Sequence, residues 1–173
     1  MISETHVKYK QHSDAVISIP GYNVFRRDRV GRQGGGVAIR SLLHSAVWTP
    51  AYRDSMFELQ RSKIGNMFIG ALYYPPKPLY KAELLLDHIE ATVEEINRNF
   101  HESRIVLAGD FNQLSDKEII ERTGLTSIVH QPTRGTNILD RVYVSSHEYS
   151  TVRVVASTVR SDHSAVVAYC HAE

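Results

Sequence analysis

Two polar side chains that suit phosphate chemistry stand two positions apart, directly after an apolar run. Residues 105–108 (Ile-Val-Leu-Ala) are typical of a strand that is buried on both faces, and Gly109 then permits a tight backbone. Asp110 and Asn112 therefore stand at the C-terminal end of a predicted strand, where open α/β sheets place ligands and catalysis. A carboxylate there can take a proton or hold a metal, and an amide can donate to an oxyanion. The alternative interpretation is an Asp-Phe-Asn turn that bonds its own backbone.

A second carboxylate and a histidine lie further along the chain. Asp140 follows Leu139 inside an otherwise apolar predicted strand, and Ser161-Asp162-His163 lies between the last two predicted strands. Because a buried carboxylate is costly unless it is paired or bound to metal, Asp140 is expected to have a partner, and His163 is the candidate. A carboxylate that accepts from one ring N–H fixes the tautomer of a histidine and raises its basicity. The alternatives are a lone inward carboxylate satisfied by backbone groups, and an ordinary turn that uses serine and aspartate.

The elements that must position these side chains are mostly strands. An amphipathic pattern predicts one long helix over residues 82–100, and Ser115, Glu118 and Gly124 predict the capping box and the end of a second, short helix. Residues 1–36 are polar and irregular, with scattered apolar anchors. Strands are predicted at 37–39, 46–48, 56–59, 67–74, 104–112, 138–145, 151–159 and 164–170. Glu58, between two apolar residues of its predicted strand, is expected to face outward, and residues 131–135 are expected to form a loop. Since strands dominate, we expect two packed sheets with helices outside.

The composition limits the classes of protein that this chain can represent. A length of 173 residues allows one domain, 1–173, with a substantial core, and no apolar run or leader predicts a membrane span or a secreted protein. The single cysteine, Cys170, fits the nucleus or the cytoplasm, and its apolar surroundings predict a core position. Because the net charge is only +1, any contact with DNA must come from a local patch. The candidate patch has four arginines, for which a solvated basic loop is the alternative: Arg26, Arg27, Arg29 and Arg32.

Taken together and in this order, the polar stretches resemble the endonuclease/exonuclease/phosphatase superfamily of metal-dependent phosphodiesterases. Residues 109–112, 139–140 and 161–163 match its three C-terminal motifs, and Glu4-Thr5 is similar to its N-terminal metal-ligand motif. The segments between the motifs look more narrowly like the endonuclease domain of non-LTR retrotransposons, at residues 19–22, 27–29, 34–37, 73–76 and 132–140. This resemblance implies an α/β fold, a four-layer α/β/β/α sandwich of two packed mixed sheets.

The resemblance also implies how a metal and a water would be held. Glu4 would bind a divalent cation, Mg²⁺ or alternatively Mn²⁺, and Asp162 would assist at the metal or at the phosphate. Asp110 would orient or deprotonate the attacking water, and Asn112 would help to hold that water. His163 would stabilise charge on the phosphate.

Two further roles follow from the same resemblance. Asp140 would orient the histidine, and Tyr73 would donate to a phosphate oxygen or to the leaving group. The implied function is metal-dependent nicking of target DNA by an endonuclease of retroelement type. Its partner is DNA, and a reverse transcriptase is expected in a longer parent chain.

Two departures from the family pattern qualify this expectation. Only three residues precede Glu4, where the family has a first strand that carries an asparagine, so we expect a single domain that is truncated at its N-terminus and impaired in activity. Pro76 stands where many relatives have an asparagine. One alternative function is a phosphatase of the same fold that acts on inositol phosphates or lipids. Another is a truncated, catalytically weak domain that only binds nucleic acid or a partner.

Overall fold

The computed structural model describes residues 1–3, 5–6, 11–29, 35–51, 56–149, 151–158 and 161–170. Helix α1 spans Ala82–Asn99 and helix α2 spans Asp116–Thr123, and one turn of 3-10 helix spans Asp14–Val16. The strands, in chain order, are β1 (Ile2–Ser3), β2 (Asn23–Arg27), β3 (Val37–Ser41), β4 (Ala46–Val47), β5 (Glu58–Ile64), β6 (Met67–Tyr73), β7 (Arg104–Asp110), β8 (Thr126–Ser127), β9 (Asp140–Val144), β10 (Thr151–Val155) and β11 (Ala165–Tyr169).

A six-stranded sheet forms the centre of the molecule, in the order β4-β5-β6-β7-β9-β8. Its strands β6 and β7 are parallel, and its other neighbours pair antiparallel, so the sheet is mixed. Parallel neighbours need a long crossover, and α1 provides it between β6 and β7. The carboxyl ends of β6 and β7 consequently meet at one edge of the sheet.

The two α-helices pack against one face of this sheet. The apolar stripe of α1 is buried, with Leu85, Ile89 and Val93 packed in one cluster with Phe68 and Leu107 of the sheet. Helix α2 begins where the hydroxyl of its N-cap, residue 115, accepts from the backbone N–H of residue 118, and it ends at a left-handed glycine, residue 124. Both predicted helices are confirmed.

Two smaller sheets cover the opposite face of the six-stranded sheet. One has the order β1-β3-β2, and the other is the hairpin β10-β11. Ile39 of β3 packs with Ala71 of β6, and Val166 of β11 packs in a cluster with Val106 of β7. The predicted arrangement of two packed sheet layers with helices outside is therefore present. On the outer face of the three-stranded sheet, the described residues contain only the 3-10 turn, beside Ile17.

The structure corrects several details of the sequence-based expectation. The stretch predicted to be irregular contains β1 and β2, and β5 starts at Glu58 and continues to Ile64. Cys170 is exposed rather than in the core, because it follows the end of β11, whose strand neighbour is β10 alone among the described residues. Within the described ranges, no helix is long and apolar enough to span a membrane.

Candidate active site

Four polar side chains lie in one row across neighbouring strands. Glu58 is opposite Tyr73, Tyr73 is opposite Asp110, and Asp110 is opposite Asp140 in the pairing of β5, β6, β7 and β9. Residues in register on adjacent strands project from the same face of a sheet. Since Tyr73 packs with β3, this is the face that the smaller sheets cover. The sheet register therefore brings together the predicted residues from three separate parts of the sequence.

Gly109 lets the end of β7 approach β6 closely. Its φ angle is 151°, and a Cβ atom built on it would lie 1.8 Å from the carbonyl oxygen of Leu72. No side chain fits there without moving the backbone. The glycine before Asp110 is thus a steric requirement of the sheet, and it sets where the carboxylate of Asp110 emerges.

Asp110 is held by the residue that follows the turn. Its side chain is buried, with only 3% of the residue exposed, and Oδ1 accepts from the backbone N–H of Asn112 at 3.0 Å. Oδ2 accepts from Asn112 Nδ2 at 3.0 Å, and the same amide donates to the carbonyl of Tyr74 at 2.8 Å. Asn112 adopts a left-handed φ of 42°, which asparagine tolerates well. The alternative interpretation of a self-bonded turn is confirmed, and this turn also fixes the carboxylate.

Arg141 supports this turn from the neighbouring strand. Its Nη2 donates to the carbonyl of Asn112 at 3.2 Å and its Nη1 donates to the carbonyl of Leu114 at 2.6 Å. Its Nε donates to the carbonyl of Ile138 at 3.1 Å. Sequence reasoning missed this residue, although a cation directly after Asp140 in an otherwise apolar strand is a usable signal.

The expected carboxylate–histidine pair is formed. His163 Nδ1 lies 2.7 Å from Asp140 Oδ2, and each side chain is less than one fifth exposed. Since an ionised carboxylate only accepts, Nδ1 donates and the other ring nitrogen, Nε2, can act towards a substrate. The backbone N–H of His163 also donates to the hydroxyl of Ser161 at 3.1 Å. The geometry of the pair agrees with the prediction, and its role in catalysis stays a prediction.

Thr133 joins the two segments that carry this pair. It is 1% exposed, and its hydroxyl accepts from the backbone N–H groups of Leu139 and Asp140, both at 3.0 Å. Its carbonyl accepts from the backbone N–H of Ser164 at 2.7 Å, directly after His163. Sequence reasoning treated residues 131–135 as a loop and assigned this threonine no role of its own.

Asp162 is more exposed than the other predicted residues. Its Oδ2 lies 2.6 Å from Arg134 Nη2, and the hydrogen bond from Arg134 lowers the pKa of the Asp162 carboxyl below its usual range. The arginine lies in the loop that Thr133 anchors. The structure thus gives Asp162 a cationic partner, and its assistance at a metal or a phosphate stays a prediction.

The four predicted DNA-binding arginines differ in their surroundings. Arg26 and Arg29 are only 13% and 16% exposed in their side chains, and they form ion pairs with Asp14 and Glu58 at 3.0 and 2.9 Å. A solvated basic loop is therefore the wrong description of these two residues. Arg27 ends β2, and Arg32 lies outside the described residues.

Glu58 is buried, where the sequence indicated an outward residue. Its Oε2 accepts from the backbone N–H of Gly36 at 2.6 Å. Thr5, which follows the predicted metal ligand Glu4, donates its backbone N–H to the carbonyl of the same glycine at 3.2 Å. Glu58, which was not among the predicted site residues, is therefore close in space to the first residues of the chain, and it pairs with Tyr73.

The donor set for a metal is incomplete within the part of the chain that the structure describes. Glu4, the principal predicted ligand, is outside it. The carboxylate oxygens of Asp110, Asp140 and Asp162 have the chemistry that Mg²⁺ prefers. However, no three aspartate, glutamate, histidine or cysteine side chains in the described ranges are grouped so that they could hold a metal ion. The described residues alone do not form a metal centre, and the metal stays a proposal.

Comparisons with known proteins identify the fold. No protein-family model matches the sequence, and no curated protein matches it. An AP endonuclease from Archaeoglobus fulgidus is 17% identical, with a TM-score of 0.68 over 98% of this chain and 87% of that one. The 3' phosphatase NExo from Neisseria, bound to a product DNA hairpin, is 16% identical, with a TM-score of 0.67 and the same coverages of 98% and 87%.

A third solved structure comes from a retroelement. The endonuclease domain of TRAS1, a telomere-specific non-LTR retrotransposon, is 16% identical, with a TM-score of 0.63 over 90% of this chain and 82% of that one. At these identities the likeness concerns the fold. The chain has the endonuclease/exonuclease/phosphatase fold, as the motifs in its sequence implied.

Proposed function

We propose that this chain is a phosphodiester hydrolase that nicks DNA, as an endonuclease of retroelement type. The observation that carries the proposal is the row in which Asp110 and Asp140 lie opposite each other, with His163 bound to Asp140 at 2.7 Å. A buried carboxylate and a paired imidazole on one face of a sheet offer a base and an electrophile to one phosphate. The fold shared with nucleases and a phosphatase supports the same class of reaction.

The proposed reaction gives separate roles to Asp110 and to the pair of Asp140 and His163. Asp110 accepts a proton from a water, and the water oxygen attacks phosphorus. The phosphorus–oxygen bond to the leaving sugar oxygen then breaks, and that oxygen keeps the electron pair and takes a proton from Tyr73 or from solvent water. His163, oriented by Asp140, donates from Nε2 to a phosphate oxygen as negative charge grows there. Asn112 acts by holding Asp110, since its amide already donates to that carboxylate and to the carbonyl of Tyr74.

We propose in addition that Mg²⁺, or Mn²⁺ in its place, is required. Glu4 and Asp162 would hold it, and its contribution when bound is to neutralise charge on the phosphate. Tyr73 ends β6 opposite Asp110 and would donate to a phosphate oxygen or to the leaving group.

The retroelement assignment is the finer part of the proposal. It is supported by the motifs between the site residues and by the fold shared with the TRAS1 endonuclease domain. It places the protein in the nucleus or the cytoplasm, with DNA as its substrate and a reverse transcriptase in the same parent polypeptide. The four arginines, Arg26, Arg27, Arg29 and Arg32, would contact the DNA backbone, and two of them, Arg26 and Arg29, also form ion pairs within the chain.

A plasmid assay tests the activity. Supercoiled plasmid is incubated with the chain in Mg²⁺ and, in parallel, in chelator, and the Asp110→Asn variant is the matched control. Conversion to open circles in Mg²⁺ only, and only by the unaltered chain, supports the proposal. Equal conversion by the variant would remove Asp110 from the proposed mechanism.

A 3'-phosphorylated oligonucleotide tests the second candidate, a phosphatase. The phosphatase NExo shares the fold, with a TM-score of 0.67. Release of inorganic phosphate without nicking of the plasmid would favour this candidate over the endonuclease. Loss of both activities would leave a domain that only binds nucleic acid.

A further inference from the structure

A tight turn beside the candidate active site carries an arginine. The backbone N–H of Arg134 donates to the carbonyl of Asn137 at 3.1 Å, and the N–H of Asn137 donates to the carbonyl of Arg134 at 2.9 Å. Gly135, between them, has a φ of 56°, a left-handed value that glycine adopts without strain. The two mutual hydrogen bonds therefore fix the backbone from which the side chain of Arg134 projects.

The base of this turn is bonded to the two segments that carry the carboxylate–histidine pair. The carbonyl of Thr133 accepts from the backbone N–H of Ser164 at 2.7 Å, and its hydroxyl accepts from the N–H of Asp140 at 3.0 Å. Ser164 directly follows His163. The side chain of Arg134, which is the next residue after Thr133, therefore starts beside the pair.

The guanidinium of Arg134 is held on one side and exposed on the other. Its Nη2 lies 2.6 Å from Asp162 Oδ2, and its side chain is 47% exposed. A guanidinium has five N–H donors, which is more than one carboxylate oxygen can accept. Arg26 and Arg29 differ, because their side chains are mostly buried against carboxylates of the chain. Arg134 therefore presents N–H donors to solvent at the site.

The ion pair with Asp162 prepares this guanidinium for a second anion. It keeps the group close to His163, which follows Asp162 in the chain. A side chain that is already fixed loses less freedom when a ligand binds, so binding costs less entropy. The planar fork of an arginine matches two oxygens of a phosphate.

We propose that Arg134 binds a phosphate of the DNA strand next to the phosphate that faces His163. The exposed side of the guanidinium donates two hydrogen bonds to that neighbouring phosphate, while the other side stays on Asp162. The site then recognises successive phosphates of one strand, and a single phosphate ester lacks the second contact. This inference rests on the proposed function, since it defines the substrate of the same site.

The affinity of the full chain for a short fluorescent DNA duplex tests this contact, in chelator so that no strand is cut. In Arg134→Gln the new amide can still donate to Asp162, but the charge and the fork are lost. We expect binding to be about tenfold weaker, and the slope of log affinity against log salt to be smaller by about 1, since one phosphate contact is lost. Arg98→Ala removes an exposed charge from the last turn of α1, at the opposite end of the sheet, and should leave both values unchanged.

A series of duplexes identifies the phosphate that Arg134 binds. In each duplex one phosphate is replaced by an uncharged methylphosphonate. For the unaltered chain, affinity should fall when the replaced phosphate is the one that Arg134 binds. In Arg134→Gln the same replacement should have no further effect, while other sensitive positions stay sensitive. This comparison separates a direct contact from a general loss of positive charge.

Several results would overturn the inference. Unchanged affinity and salt slope in Arg134→Gln, with an unchanged melting temperature, would mean that Arg134 only holds Asp162. Equal sensitivity of this variant to every methylphosphonate would mean that no phosphate contact was lost. Absence of DNA binding by the unaltered chain would leave Arg134 without a phosphate to bind. If Arg134→Gln does not fold, Arg134→Lys keeps the charge without the fork and should bind about threefold more weakly; full affinity in Arg134→Lys would contradict the paired hydrogen bonds.

The binding measurements do not depend on cleavage, so the two proposals can fail separately. Weaker binding by Arg134→Gln, together with no plasmid nicking by the unaltered chain, would support the phosphate contact and contradict the proposed endonuclease. Nicking by the unaltered chain, together with unchanged binding by Arg134→Gln, would support the endonuclease and contradict the phosphate contact.

Discussion

Replacing Thr133 by valine removes one hydroxyl and keeps the shape of the side chain. That hydroxyl accepts from the backbone N–H groups of Leu139 and Asp140, and the residue is 1% exposed, so water does not replace the lost acceptor easily. A buried donor that loses its partner costs about 1–3 kcal/mol. For two donors at a partly accessible strand end, we expect the free energy of unfolding to fall by about 2–4 kcal/mol, which lowers the melting temperature by roughly 4–16 °C in a chain of this size.

The same substitution should slow the reaction beyond its effect on stability. Thr133 holds the start of the strand of Asp140, and its carbonyl accepts from the residue after His163, so the pair loses its common anchor. A displacement of about 1 Å in a catalytic group can cost on the order of 10²-fold in rate. Urea unfolding and plasmid nicking at a temperature where both variants are folded measure the two effects separately.

Thr133→Ser is the matched control, since it keeps the acceptor and removes a methyl group. The serine variant should nick at nearly the rate of the unaltered chain, and the valine variant should not. If the valine variant unfolds at the same urea concentration and nicks at the same rate, the threonine hydroxyl does not organise the site.

Three further predictions concern the site itself. Asp110→Asn and His163→Ala should each lower Mg²⁺-dependent nicking by about 10²-fold or more while circular dichroism stays unchanged, and a near-full rate in either variant would remove that residue from the mechanism. Asp140→Asn should lower the maximal rate without moving the midpoint of a Mg²⁺ titration, because it acts through the histidine, and a large shift would instead make it a metal ligand. Arg134→Ala should raise the pKa of the Asp162 carboxyl to its usual range, because the hydrogen bond that lowers this pKa is lost. Less of the Asp162 carboxylate then stays ionised as the pH falls. Carbon NMR of the carboxyl group measures the pKa, and an unchanged value would mean that the pair with Arg134 is absent in solution.

The periodicity of the sequence was sufficient for the strongest elements of the fold. The helix over residues 82–100 and the strand that ends at Asp110 follow from apolar spacing alone, because each buries a regular face in the same core. Strands β1 and β2 could not be found this way. Their pairing with β3 depends on partners that are remote in the sequence, and a tertiary contact of this kind leaves little local pattern.

The chemistry of the residues predicted the pair of Asp140 and His163, but it did not predict the contacts that bury Glu58. The cost of burying Asp140 correctly indicated His163 as its partner. By contrast, Glu58 was expected to face outward, since a charged residue between apolar ones in a strand usually does. Its burial depends on Arg29, which follows β2, and on the backbone of Gly36, which precedes β3. No property of the sequence near Glu58 reveals those partners.

The candidate site is held mainly by hydrogen bonds to the backbone. Asp110 is fixed by the turn that ends at Asn112, and that turn is fixed in its place by Arg141 from β9. The pair of Asp140 and His163 is anchored from the loop of residue 133. Directional bonds position a group more narrowly than apolar packing does, and they fail abruptly when one partner is lost. For that reason we expect conservative substitutions of the supporting residues Asn112, Thr133 and Arg141 to lower activity more than stability. Substitutions at ordinary core positions should not show this difference.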